Sequence, residues 1–139
     1  MIHLKYGYDF NTDIIGKWKS KANTAIAAGK VVDRDSNGEI VAATALGYFL
    51  IQDVTIDGPS FNERELGVFQ WDVKAGDPVA VVPPIRGAII WTDNMTGTVA
   101  VGDEVEVTAG GALQKQASGT AIGKVLSIPS TGVYEIKLY

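Results

Sequence analysis

The sequence predicts an all-β fold, a small β-barrel or β-sandwich of short antiparallel strands with an extended N-terminal arm. Three observations predict it. From Gly29 onward, short β-branched runs are separated by Gly, Pro, Asn and Asp, the punctuation of sandwiches and barrels. Helical periodicity is missing, whereas period-two alternation is clean in "GVFQWDV" (Phe69, Trp71 and Val73 on one face) and in "GVYEIKLY" (Tyr134, Ile136 and Leu138 opposite Glu135 and Lys137). Finally, one corner recurs: "AGKVV" at Ala28, "AGDPVAV" at Ala75 and "VGDEVEV" at Val101 each place a glycine before a charged residue and a Val-containing strand. Glycine takes the positive-φ corner other residues resist, and Asp can accept hydrogen bonds from nearby backbone N–H groups. Gly29, Gly76, Asp77, Gly102 and Asp103 are therefore read as structural corners, with Gly123 grouped beside them.

In chain order, residues 1–28 form an N-terminal arm or first strand, and residues 29–139 a β-barrel body. The leading segment scatters Tyr6, Tyr8, Phe10 and Trp18 among charges without sustained alternation, and that many aromatics are costly to leave in water. Reading it as an arm that packs on a partner competes with reading it as a first strand of the body. Asn37-Gly38, between "KVV" and "EIVAA", signals a tight hairpin. Residues 56–66 read as a surface loop, and Pro83-Pro84 stop the preceding strand. After the first and third corners the same order follows: a turn ("SNGEI", "AGGAL"), a strand, then "TALGYFLI" or "TAIGKVLSI". That echo predicts two similar hairpin-plus-strand units.

A chain of 139 residues with 46% apolar content is one domain able to bury a core. It has no cysteine, which removes disulfides, thiolate metal sites and a cysteine nucleophile. The N-terminus lacks the apolar stretch of a signal peptide, and the longest nearly apolar run, residues 40–51, falls short of the roughly 20 residues that cross a bilayer. A soluble protein made in the cytosol, without a membrane partner, is expected. Charge is unevenly placed: through Arg34 there are six basic residues against three acidic, and beyond it six against thirteen. A basic leader carrying Lys17, Lys19 and Lys21 on an acidic body suits docking on an acidic surface, including another copy's body. Nucleic acid is the disfavoured alternative, because the body repels phosphate.

Little in the chain points to chemistry. A triad would rest on His3 alone, zinc lacks ligands, and neither a P-loop nor a dinucleotide fingerprint is present. No catalytic residue, metal or cofactor is expected. Residues 33–44 begin like a calcium loop (Asp33, Asp35, Asn37, Gly38), but position twelve is Thr44 where a bidentate Glu is needed. Asp103, Glu104 and Glu106 look at first like an acid cluster. With Val105 and Val107 facing inward, alternation turns Glu104 and Glu106 outward as solvated surface charge, and Asp103 belongs to its corner. The tryptophans raise a carbohydrate- or receptor-binding β-sandwich module as the alternative function. However, Trp71 and Trp91 sit in core-like patterns, leaving Trp18 as a single platform.

"NTAIAAGKVV", together with "AVGDEVEVTAGGALQKQASGTAIGKVLSIPSTGVYEIKLY", resembles the small capsid cement, or head decoration, proteins of tailed bacteriophages. The resemblance covers residues 23–32 and 98–139; the middle of the chain departs from it. It implies a β-barrel-like body on the outside of the virion head, bridging neighbouring major capsid proteins, made in the host cytoplasm and working as a homo-oligomer or lattice of copies. The charge and aromatic pattern, rather than the resemblance, nominates Tyr6, Tyr8, Phe10 and Trp18 as interface anchors and Lys17, Lys19 and Lys21 as rim charges.

Overall fold

The computed structural model describes residues 2–6, 19–27, 29–52 and 72–139. Every regular element among them is a strand. In order these are β1 (Ile2–Tyr6), β2 (Lys19–Lys21), β3 (Val31–Arg34), β4 (Ile40–Ala42), β5 (Tyr48–Gln52), β6 (Pro78–Val82), β7 (Ile89–Thr92), β8 (Met95–Thr96), β9 (Glu104–Thr108), β10 (Ala112–Lys115), β11 (Ala121–Ser130) and β12 (Val133–Leu138). They form a seven-stranded sheet ordered β1-β7-β12-β11-β9-β10-β8 and a five-stranded sheet ordered β2-β6-β5-β3-β4. Neither closes on itself, so among the described residues the fold is a pair of open sheets and not a barrel. Pairing is antiparallel except between β10 and β8, where the two-residue β8 lies parallel at the sheet edge.

The internal echo has a topological counterpart. β3 pairs with β4 through a hairpin and with β5 on its other side; β9 pairs in the same way with β10 and β11. The three corners also share one geometry. Gly29, Gly76 and Gly102 have φ of 77°, 86° and 92°, each in the third position of a turn closed from the fourth residue's N–H: Lys30 to Ala27, Asp77 to Lys74 and Asp103 to Ala100. In the latter two the aspartate closes the turn a second time, accepting from the Lys74 and Ala100 N–H groups at 2.9 Å. Gly123 differs: it lies inside β11 without a positive φ. A Cβ there would come within 2.5 Å of the Lys137 carbonyl oxygen, so this glycine permits close approach of β11 and β12 and is not a corner.

The sheets face each other across one core. Val31, Ala43 and Phe49 from the five-stranded side pack in a single cluster with Ile90, Val105, Leu113, Val125, Ile136 and Leu138 from the other sheet. Val32, one residue along β3, points the opposite way into a second cluster with Ala22, Ile26, Ile40, Val73, Val79 and Val81. β3 is therefore buried on both faces, which explains why "VV" there lacks alternation. Ile26 and Val73, joined by an isolated antiparallel bridge, help cover the second face.

The N-terminal segment contributes to both sheets. Ile2–Tyr6 pairs with β7 at one edge of the seven-stranded sheet, and Lys19–Lys21 pairs with β6 at one edge of the five-stranded sheet. Both stretches are edge strands of the described sheets. Tyr8, Phe10, Lys17 and Trp18 lie outside the described residues, as do Phe69, Trp71 and residues 56–66.

Candidate functional site

Of the nominated anchors and rim charges, Tyr6 pairs with Ile89 across β1 and β7, while Lys19 and Lys21 lie on β2 in the other sheet. The described members are thus divided between the two sheets. Lys21 is committed within the chain, its Nζ 2.8 Å from a Glu39 carboxylate oxygen; the hydrogen bond to Glu39 and its charge hold the ammonium pKa above its ordinary value.

Residues 33–44 form the β3–β4 hairpin. Gly38 has φ 78°, and the Asp35 carboxylate accepts from the N–H groups of Asn37 at 2.8 Å and Glu39 at 2.9 Å and from Asn23 Nδ2 at 2.7 Å. These bonds, the Glu39 N–H first, hold the Asp35 pKa below the usual range. The carboxylate that resembled a calcium ligand is engaged in organising the turn. Among the described residues no three His, Cys, Asp or Glu side chains gather as a metal site would require.

Asp103, before β9, and Glu104 and Glu106 within it occupy three different environments. Asp103 closes its corner and lies 2.8 Å from Lys115 Nζ; that hydrogen bond leads the interactions that depress its pKa. Glu104 is exposed and accepts a hydrogen bond from the Tyr139 hydroxyl, whose pKa it raises. Glu106 overturns the solvated-face expectation, being only 4% exposed. It does point away from Val105 and Val107, but the chain after β10 folds back over it. Gln114 Nε2 donates to its Oε1 at 2.7 Å, and the Gly119 N–H donates to Oε2 at 2.5 Å. Gln114 first, then the backbone N–H groups of Gly119, Ala117 and Ser118, hold its pKa below the ordinary value against the opposing effect of burial. Alternation told which face Glu106 is on; it carried no information about what covers that face.

This arrangement has a pH signature. Asp35, Asp103 and Glu106 all have folded pKa values below their unfolded ones, so between the two values the unfolded state binds more protons and stability falls as pH falls. The melting temperature should be flat from pH 7 to about 5 and then drop as these carboxylates protonate below about pH 4. In Glu106→Gln, the melting temperature at pH 7 should be lower and the acid drop shallower. Circular dichroism melts across this range check both expectations; an acid limb of unchanged steepness would show that Glu106 does not contribute.

The remaining candidate is the outer face of the seven-stranded sheet. On one rung, Glu104, Lys124, Lys137 and Ile89 are successive register partners across β9, β11, β12 and β7. On a neighbouring rung, Trp91 and Glu135 are partners across β7 and β12, the indole Nε1 donating to Glu135 Oε2 at 2.7 Å. Ser127 Oγ donates to the other carboxylate oxygen at 3.2 Å. Trp91 is half-buried and anchored through its N–H. Beside these rungs Arg86, Lys124, Lys137, Leu126 and Tyr139 line an open depression, and Leu126 and Ile128 stand 39% and 40% exposed along β11. Composition gave no sign of this grouping, since Arg86, Lys124 and Lys137 come from separate stretches that only strand register aligns.

Two comparisons with known proteins return nothing: no family model matches the chain, and no curated protein matches it either.

Proposed function

We propose that this chain is a non-enzymatic structural protein of a phage virion, seated on the capsid surface and cementing neighbouring major capsid proteins. The observation that carries the proposal is the outer face of the seven-stranded sheet. Leu126, 39% exposed, lines the same depression as Tyr139, itself 50% exposed, with Arg86, Lys124 and Lys137 around them, and an exposed apolar group rimmed by charge suits a contact surface. The segments that carry the sequence resemblance, residues 23–32 and 98–139, supply the first two residues of β3, Val31 and Val32, and the β9 to β12 half of that sheet. In this reading many identical contacts on a symmetric lattice sum to a stable shell, so each one can be small. Other copies of the chain are neighbours on that lattice.

Interface use of the N-terminal segment takes a modified form. Because β1 and β2 are sheet edges, removing residues 1–22 would strip a strand from each sheet and confound folding with binding. The experiment therefore uses the whole chain: heads of the encoding phage, assembled without this protein, are mixed with it, sedimented, and heated. Saturable co-sedimentation and a higher temperature for DNA release are expected. Unchanged heads with no bound protein would overturn the proposal.

A further inference from the structure

We propose that the Arg86–Lys124–Lys137 face docks a carboxylate-bearing extended segment of a protein partner. The inference deepens the cementing proposal by naming the chemistry of the contact, and its role on the virion rests on that reading.

The argument starts from register. Lys124 on β11 and Lys137 on β12 are direct cross-strand partners, both exposed, on the face opposite buried Val125, Ile136 and Leu138. Side chains so placed have Cβ atoms about 5 Å apart, and like charges in that position destabilise a sheet. Arg86 adds a third cation to the same depression. Two carboxylates lie on the same face: Glu104, the register partner of Lys124, accepts from the Tyr139 hydroxyl, and Glu135, two residues before Lys137, accepts from Trp91 and Ser127. Both carboxylates keep their charge, but among the described residues neither forms an ion pair with Arg86, Lys124 or Lys137, so three cations share this face with two carboxylates. An incoming carboxylate pair would relieve that repulsion, and Leu126 and the Tyr139 ring offer apolar contact beside it.

Charge complementarity also selects the class of partner. The cationic group is bordered on both sides by Glu104 and Glu135, on a chain of net charge −4. A nucleic acid carries phosphate continuously and would meet those acids. A short acidic peptide segment can place its charges over the cations alone.

The test uses the full chain, a fluorescein-labelled peptide of glutamates and leucines, and a labelled DNA duplex, read by fluorescence anisotropy at low salt. The peptide should bind, and Lys137→Glu and Arg86→Glu should each weaken it about ten-fold, with added salt weakening the wild type. Lys137→Glu also supplies a readout that separates binding from folding. It replaces a like-charge pair with an opposite one, so its melting temperature should equal or exceed that of the wild type while binding weakens. Peptide binding that is absent, or unchanged in both variants, overturns the inference. So does tighter binding of the duplex, which would make nucleic acid the partner. Self-association in sedimentation equilibrium that Lys137→Glu abolishes would make a second copy the occupant, and likewise overturns it. If the wild type binds peptide as stated but fails to sediment with undecorated heads, the cementing proposal falls and the chemistry of this face stands.

Discussion

Gly111→Ala should lower stability by about 4 kcal/mol and the melting temperature by roughly 14 °C, the steepest loss expected from adding a methyl group to any of the described glycines. Gly111 is the joint between the sheets. It sits in the β9–β10 turn with φ 75°, its carbonyl accepts from the Val31 N–H at 2.8 Å, and its N–H donates to the Ala43 carbonyl at 2.8 Å. Asn94 Nδ2 donates to the same carbonyl at 2.8 Å, and Lys30 Nζ donates to Asn94 Oδ1 at 3.0 Å, so side chains reinforce the seam. A Cβ on residue 111 would fall 2.1 Å from the Val31 carbonyl oxygen and 3.0 Å from its nitrogen, both backbone atoms that no rotamer change can move aside. The left-handed conformation costs a side chain about 1–2 kcal/mol, and displacing the seam breaks hydrogen bonds of about 1 kcal/mol each. Gly102→Ala is the internal control. It has φ 92° but nothing within 4 Å of an added Cβ, so only the conformational cost of about 1–2 kcal/mol applies. Thermal melts of the two variants side by side check the difference; equal losses would show that the seam adapts and does not join the sheets rigidly.

Phe49→Ala should cost about 3–5 kcal/mol, the range for deleting a buried aromatic ring. Phe49 is fully buried and is the largest such side chain among the described residues. From β5 it enters the cluster shared with Ile90, Leu113 and Ile136, so its loss opens a cavity between the sheets where backbone hydrogen bonding keeps both walls in place. Denaturant unfolding followed by fluorescence measures this as a lower midpoint with an unchanged slope. A loss below about 1 kcal/mol would mean that the core collapses around the vacancy. Because Phe49 lies inside and Lys137 outside, Phe49→Ala should leave peptide affinity intact once the folded fraction is accounted for, whereas Lys137→Glu changes affinity without lowering stability.

What could be read from the chain follows from the range over which each signal acts. Corners are local: a glycine before an aspartate closes its own turn, so Gly76-Asp77 and Gly102-Asp103 are legible within four residues. Alternation is nearly as local, and it placed Val105, Val107, Ile136 and Leu138 in the core. The repeated order of turn, strand and strand was enough to expect two similar units, because hairpin neighbours are set by short connections. Three features depended on contacts distant in sequence. Glu106 is buried because residues 117–119 return over it, which no period-two pattern encodes. Ile2–Tyr6 is a strand of the body because β7, more than eighty residues later, presents an edge to pair with. Lys124 and Lys137 face each other because the β11–β12 register, with its irregularity between Val125 and Ser127, aligns them. The sequence by itself determined the all-β class, the corners and the inward faces, since each follows from the steric and hydrogen-bonding preferences of adjacent residues. Only the tertiary structure decided which carboxylate is covered, which end strand is captured and which cations meet, since those depend on how separate segments come together once the core has closed.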